Sequence, residues 1–549
     1  MAAVPHFPDH LTLPQFLLDY QHPIRLPREA QTPWLVDARS GESLLQGEVI
    51  QRTWNLANGL SSRASIVGII SENNLDFPLT IWAAHRLGAS VFGYEASILV
   101  VHSSAFEATR TAARKMGIPD DKIVLFDRPI LPASDTLFVT IQDLVNAGDS
   151  IKQSYQFTEF KMKAGEGKTT TALYFPSSGT TGVPKMVAIP HSSFISNIIQ
   201  TAAHDAGFGA VVPVVKRRFK PGSVSCAVLP FFRTCWTWFA MTVVILPKFD
   251  FVEYLATIKK YKVTHLSLVP PMLTLFCKHP AVKGADLSSL RVVFVGGAPL
   301  SVPLAEAMGE IVPHAVVEQG YGMTELTGIL TMPPLDRRVA TDAVGYLLPG
   351  FTARVVKPDG SLAGIGESGE LYVTGPSLAT HYVNNKKMFN PNRVSCSSEE
   401  TFIEGWVRTG DEVYFDQDRE LHIVDRIKDF IKVGGYQVAP AELEARLVTN
   451  PDITDCCVVP IPDQFPGEVP GAYVVLSADA RERLRRPSES SKIGSHGICL
   501  QDITKNKARY KGLAGGVKFI DAIPKTASGK LLRRALRDLA SSRTSSAKL

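Results

Sequence analysis

The sequence predicts an α/β protein with a large, multi-subdomain amino-terminal domain and a small α+β carboxy-terminal domain. Three observations lead there. Short apolar runs, Ile66 to Ile70, Ile123 to Phe126, Val263 to Val269 and Val292 to Val295, alternate with amphipathic stretches such as Phe251 to Tyr261, as buried parallel strands alternate with helices. At 549 residues, 45% of them hydrophobic, the chain is too long for one core. After Asp425 the pattern changes, which places a boundary near Lys428 and divides the chain into 1–427 and 428–549.

Within the large domain, Gly369 to Thr374 and Arg419 to Val424 read as shorter β elements between Gly/Asp turns, the mark of a β-rich subdomain. Past the boundary, Ile427 to Val433 has a strand pattern. Gly434-Gly435 follow, and Pro440 to Leu447 starts a helix with Glu442 and Glu444 in its first turns. At strand spacing Lys428, Phe430 and Lys432 share one face. The polar stretch Arg481 to Gly497 reads as a loop.

Composition narrows the function. A formal net charge of +5 with 20% charged residues is too small to suggest a nucleic-acid binder or a polybasic membrane binder. The seven cysteines are scattered and form no CxxC pair, which argues against a disulfide framework or structural zinc and for a reducing compartment. MAAVPHFPDH lacks the basic and apolar segments of a signal peptide. IVGII and WFAMTVVIL fall short of a membrane span, so a soluble protein is expected.

The strongest motif is Ser177-Ser178-Gly179-Thr180-Thr181-Gly182-Val183-Pro184-Lys185, set between the apolar runs Thr171 to Pro176 and Met186 to Ile189. In such a strand, loop, strand arrangement glycines let successive N–H groups point at a phosphate, hydroxyls add donors and Lys185 adds charge. It is not a Walker A loop, because its lysine lies three residues after Gly182.

Downstream, Gly296-Gly297-Ala298-Pro299 ends a strand with small residues that admit a flat ring, although a plain turn fits as well. In Gln319-Gly320-Tyr321-Gly322-Met323-Thr324-Glu325, Tyr321 is suited to stack on adenine, Thr324 to bond the α-phosphate and Glu325 to hold Mg²⁺. Asp411, in Arg408-Thr409-Gly410-Asp411, is suited to accept both ribose hydroxyls, and an ordinary Gly/Asp turn is the competing explanation. Near the end, Lys530 follows the flexible Ser528-Gly529 pair and precedes a basic helical run, Leu531 to Ala540. It can act as a mobile point charge or simply as a surface lysine.

SSGTTGVPK, GGAPL, QGYGMTE, RTGD, DRIKDFIKVGGYQVAPAELE and PKTASGK, in this order, resemble the adenylate-forming superfamily, closest to its 4-coumarate:CoA ligase-like and luciferase-like branch. The resemblance covers nearly the whole chain. It implies ATP-dependent formation of an acyl-adenylate and then a coenzyme A thioester from an aryl or fatty acid. It also implies a small mobile domain hinged at Lys428. Carried over by position, Ser177 to Gly182 and Lys185 form the phosphate loop, and Gly297, Ala298 and Gln319 to Thr324 contact AMP. Glu325 ligates Mg²⁺, while Asp411 and Arg426 hold the ribose. Lys432, Gln437 and Lys530 serve adenylation, and Gly434, Gly435 and Lys248 lie toward coenzyme A.

The chain departs from that pattern twice. Leu229-Pro230-Phe231-Phe232-Arg233-Thr234-Cys235-Trp236 lacks the family's histidine and runs early into Met241-Thr242-Val243, so the following helix reads as truncated. Val91-Phe92-Gly93-Tyr94-Glu95 runs straight into Ala96 to Val100, where the family carries an extra turn and helix. These departures keep an inactive nucleotide-binding homologue among the alternatives, with a carrier-protein-loading adenylation enzyme and a luciferase-like oxygenase. The final Ala547-Lys548-Leu549 resembles the peroxisomal tripeptide, so the expected protein partner is a peroxisomal import receptor.

Overall fold

The computed structural model describes residues 5–61, 66–91, 96–127, 138–151, 157–177, 185–207, 212–229, 235–383, 398–434, 436–463, 467–485, 508–525 and 531–546. Two seven-stranded sheets form the body of the large domain. In one, the strands Val316–Gln319, Val292–Val295, His265–Leu268, Val224–Ala227, Thr242–Ile245 and Leu35–Asp37 run parallel in that spatial order, with Ser43–Leu44 antiparallel at the edge. Helix Phe251–Tyr261 packs on this sheet through Phe251, Tyr254, Leu255 and Ile258, as its apolar spacing predicts. Asp250 caps it by accepting from the Glu253 N–H at 2.8 Å.

The other sheet has the order His381–Val383, Lys185–Pro190, Thr171–Ser177, Ser90–Val91, Ile66–Ile70, Ile98–Val101, Ile123–Leu125. Ser90–Val91 and Ile98–Val101 both pair in parallel with Ile66–Ile70, one on each side, yet only residues 92–97 connect them. A parallel crossover ordinarily takes a dozen residues or more and a helix. The pairing explains how six suffice. Val91 and Ile98 both stand at the level of Val67, so the connection need not span a strand's length. Gly68 lets Ala96 and Leu99 pack close: a Cβ there would lie 2.7 Å from Leu99 Cδ2 and 3.1 Å from the Ala96 Cβ.

The second expected truncation is a four-residue helix, Cys235–Trp238. It is anchored by the Trp238 ring, which stacks on Phe16 at 5.6 Å between centroids, and by the Trp34 indole N–H donating to the Thr237 carbonyl at 2.9 Å. Its neighbour WFAMTVVIL continues into the strand Thr242–Ile245, and among the described residues no helix is long and apolar enough to cross a membrane.

The β-rich region is a five-stranded antiparallel sheet holding Gly369–Thr374, Trp406–Phe415 and Leu421–Arg426. The carboxy-terminal residues build a separate five-stranded sheet with its own apolar core around Ile431, Leu443, Val458 and Val474. Here two expectations are corrected. Only Ile431–Val433 is strand, because residues 427–429 form a turn in which the Asp429 N–H donates to the Arg426 carbonyl at 2.9 Å. Lys428 and Lys432 therefore do not share a strand face. The stretch expected as loop from Arg481 begins inside a helix, Ala478–Arg485.

His85, His191 and His265 are buried without charge, and His204 is half-buried. His85 and His191 meet edge to face at 4.7 Å; His191 Nδ1 accepts the Leu13 N–H, and the His85 Nε2 bonds the Ala172 carbonyl. Burial lowers His85 to about 4, His204 to about 4, His265 to about 3 and His191 well below its ordinary value. Their stabilisation is complete above the unfolded value near 6.5 and is lost as pH falls toward 4. Asp205 and Asp425, each pushed up to about 6 by burial, oppose this more weakly. The melting temperature should fall from pH 7.5 to pH 5. A flat profile measured by calorimetry would contradict the neutral-histidine assignment.

Candidate active site

The strands on either side of the loop motif pair with each other. Thr171–Ser177 and Lys185–Pro190 are antiparallel, with Ser177 opposite Lys185, as the strand, loop, strand reading requires. Ser178, Gly179, Thr180, Thr181 and Gly182 lie outside the described residues, as do Gly435, Lys530 and the Ala547-Lys548-Leu549 tripeptide.

Three groups of expected residues come together. In the first, Asp411 is 3% exposed and stands opposite Arg426 across paired strands. Arg426 Nε approaches its carboxylate at 2.6 Å, the Tyr321 hydroxyl donates to the same carboxylate, and the Asp411 N–H donates to Thr409 Oγ1 at 3.1 Å. Burial and the adjacent Asp411 charge hold Tyr321 well above its ordinary pKa, so it remains a neutral donor. Burial opposes the charge on Arg426, but Asp411, Tyr321 and Glu325 together raise its pKa, which places all four groups in one electrostatic neighbourhood.

The second group is Lys185 and Glu325, joined through Tyr382. Glu325 lies in the short turn Thr324–Leu326 and is 7% exposed. The next residue but one, Thr327, is held at a φ of 64°, a strained value for a β-branched residue. The Tyr382 hydroxyl donates to Glu325 Oε1 at 2.7 Å, and Lys185 Nζ lies 4.6 Å from the centre of the Tyr382 ring. Among the described residues no three His, Cys, Asp or Glu side chains converge as a metal cage. A single buried carboxylate nevertheless fits Mg²⁺, which takes one or two carboxylates together with phosphate oxygens and water.

In the third group, Lys432 and Gln437 are cross-strand partners in the small domain, so both project from one face of that hairpin. Gly434 between them has a φ of 55°. On the large domain the turn Gly296 to Leu300 is fastened by Gln319, whose Oε1 accepts the Leu300 N–H at 2.7 Å; Gly297 within it has a φ of 82°, and Ala298 is half-buried. Gly320 donates its N–H to the Val295 carbonyl at 3.0 Å, and Gly322 packs so closely on Gly328 that any Cβ would lie 1.8 Å from its carbonyl oxygen. Lys248 does not join these groups: it is exposed and paired with Glu72 at 2.8 Å.

Sequence reasoning missed Tyr382. No local motif marks it, since its link to Lys185 and Glu325 arises from the pairing of His381–Val383 with Lys185–Pro190.

A sequence model described as "AMP-binding enzyme" matches residues 27–383, and one described as "AMP-binding enzyme C-terminal domain" matches residues 442–530. The chain is 32% identical to peroxisomal OPC-8:0-CoA ligase 1 of Arabidopsis thaliana over 92% of its own length and 90% of that protein. It is 34% identical to probable 4-coumarate–CoA ligase 1 of Dictyostelium discoideum, over 86% of this chain and 81% of that one. The fold is also that of the anthranilate CoA ligase AuaEII in complex with anthranoyl-AMP, with a TM-score of 0.78 at 20% identity, covering 98% of this chain and 99% of that one.

Proposed function

The chain belongs to the AMP-binding enzyme family, and from that premise we propose that it activates a carboxylic acid with ATP and passes the acyl group to coenzyme A. The observation that carries this reading is the buried Asp411, fixed between Tyr321 and Arg426 as an acceptor suited to two ribose hydroxyls. In the first half-reaction an acid oxygen attacks the α-phosphorus of ATP, the bond to the bridging oxygen breaks, and pyrophosphate leaves the acyl-adenylate. In the second, the thiol sulfur attacks the acyl carbonyl, AMP departs and the thiol proton is released.

The residues divide this work. Lys185 and the loop Ser177 to Gly182 hold the phosphates, Tyr321 and Gly297-Ala298 enclose adenine, and the Thr324 hydroxyl bonds the α-phosphate. Lys432, Gln437 and Lys530 bring charge and hydrogen bonds from the small domain, whose boundary we place at Lys428. Glu325 would hold Mg²⁺, which neutralises phosphate charge when bound. Gly434-Gly435 and Lys248 lie on the coenzyme A side, and Lys248 must leave Glu72 to reach it.

The test is pyrophosphate release across aryl-propenoates, other aryl acids and medium and long fatty acids, with thioester identified by mass after coenzyme A is added. Pyrophosphate without thioester favours carrier loading. Light on adding a luciferin favours an oxygenase. Absence of pyrophosphate with every acid overturns the reading in favour of an inactive nucleotide-binding homologue, which the missing histidine near Phe232 makes the specific competitor.

Peroxisomal import through Ala547-Lys548-Leu549 is part of the proposal and is supported by the peroxisomal relative. A reporter carrying roughly the last ten residues should become punctate in cells, and a reporter that stays diffuse removes the import partner.

A further inference from the structure

We propose that Tyr382 is a positioning residue whose phenol keeps Lys185 and Glu325 apart, so that both charges remain available to the phosphates and metal of ATP. This assignment rests on the proposed function. Tyr382 sits on the edge strand His381–Val383, opposite Val187, and is 7% exposed. Its hydroxyl donates to Glu325 Oε1 at 2.7 Å while its ring face carries the Lys185 ammonium at 4.6 Å. One side chain thus contacts an anion by its polar end and a cation by its π face.

The ring is fixed in that attitude. Phe402 packs against it edge to face at 5.4 Å, and the Tyr382 N–H donates to Ser398 Oγ at 3.0 Å. The same segment also holds the Glu325 backbone, since the Ala379 N–H donates to the Glu325 carbonyl at 2.9 Å. Two opposite charges held on one buried ring attract and would close into a direct ion pair if the space between them were free. Such a pair would spend the lysine on the carboxylate instead of on phosphate, and the carboxylate on the lysine instead of on a cation. The phenol occupies that space and also orients the carboxylate, as partners of metal-binding groups generally do.

The two contacts separate experimentally. Tyr382→Phe keeps the ring and the cation contact but loses the hydroxyl. By calorimetry, its ATP affinity in EDTA should match the parent, while the Mg²⁺ concentration needed to raise that affinity should increase about 10- to 100-fold. Tyr382→Leu removes the ring as well, so ATP affinity in EDTA should also fall. Restoration of the parent's EDTA affinity by adding Glu325→Gln to Tyr382→Leu would support the spacer role, because it frees Lys185; no restoration would overturn it. A Tyr382→Phe protein with the parent's Mg²⁺ requirement overturns the orienting role even though the parent binds ATP. A parent that binds no ATP under either condition overturns the proposed function and this assignment together.

Discussion

Lys530→Ala should lose roughly two to three orders of magnitude in acid-dependent pyrophosphate release, the loss seen when a preorganised electrostatic group is removed from a charged transition state. The proposed reaction brings a carboxylate against an α-phosphate, and Lys530 is the cation we propose the small domain delivers to the bond being formed. On either side of Lys530, Lys525 bridges Leu531 and the Leu532 N–H donates to the Pro524 carbonyl at 2.9 Å. The helix that follows is fastened by Arg533 to Glu444 and by Arg537 to Asp429, at 3.0 Å, in the turn beside the proposed hinge. The residues on both sides of Lys530 are thus tied to the carboxy-terminal sheet. ATP binding should change much less, because Lys185 and Asp411 belong to the large domain. With acyl-adenylate supplied, thioester formation by Lys530→Ala should run near the parent rate. Gly435→Leu should behave in the opposite way, keeping pyrophosphate release and losing thioester through obstruction of the thiol's path. Equal loss of both half-reactions in folded Lys530→Ala would refute alternation of the two domains.

Glu318→Ala should cost about 3–5 kcal/mol of stability, measured by denaturant unfolding, because it leaves a buried guanidinium with only the more distant Asp205 carboxylate, 3.9 Å away. Glu318 is fully buried, and Arg218 Nε donates to its two oxygens at 2.9 and 2.7 Å. Arg218 Nη2 donates to the Pro333 carbonyl at 2.8 Å, and Asp205 accepts the N–H groups of Arg218 and Phe219 at 2.8 and 3.2 Å. Burial raises the pKa of Glu318, and the Arg218 charge only partly offsets it. A single substitution that costs less than about 1 kcal/mol would show that the site admits water.

The chemistry was more legible in the sequence than its supports were. The two strands flanking the Ser177 to Lys185 motif, the helix Phe251–Tyr261 and the strands Val292–Val295 and Gly369–Thr374 stand where local pattern puts them, because apolar period acts over a few residues. Asp411 and Arg426 are 15 positions apart yet meet as cross-strand partners, which the turn composition between them suggests but does not fix. Tyr382 was invisible, since 197 positions separate it from Lys185 and only strand register unites them. The Arg218–Glu318 pair, 100 positions apart, was hidden for the same reason. At Lys428 the apolar alternation of a strand was overridden by a turn, as befits a place where one sheet ends and another begins.

The two-residue strand Ser90–Val91 divides its sheet into two three-stranded leaves, one antiparallel and one parallel. It meets the strand that leads into the phosphate loop at one residue pair, Val91 with Leu173, supplemented by the Ser90 hydroxyl donating to the Thr171 carbonyl at 2.7 Å. The hairpin Thr171–Pro190 is thus stitched at a narrow seam on that edge, while its own two strands pair along most of their length. Such a seam lets the hairpin open as a cooperative unit at a free energy below that of global unfolding. Its amides should exchange with solvent deuterium sooner than those of Thr242–Ile245, which is flanked on both sides by well-paired strands. Nucleotide held by the loop would close the seam, so protection in this hairpin would report occupancy of the site from the backbone alone.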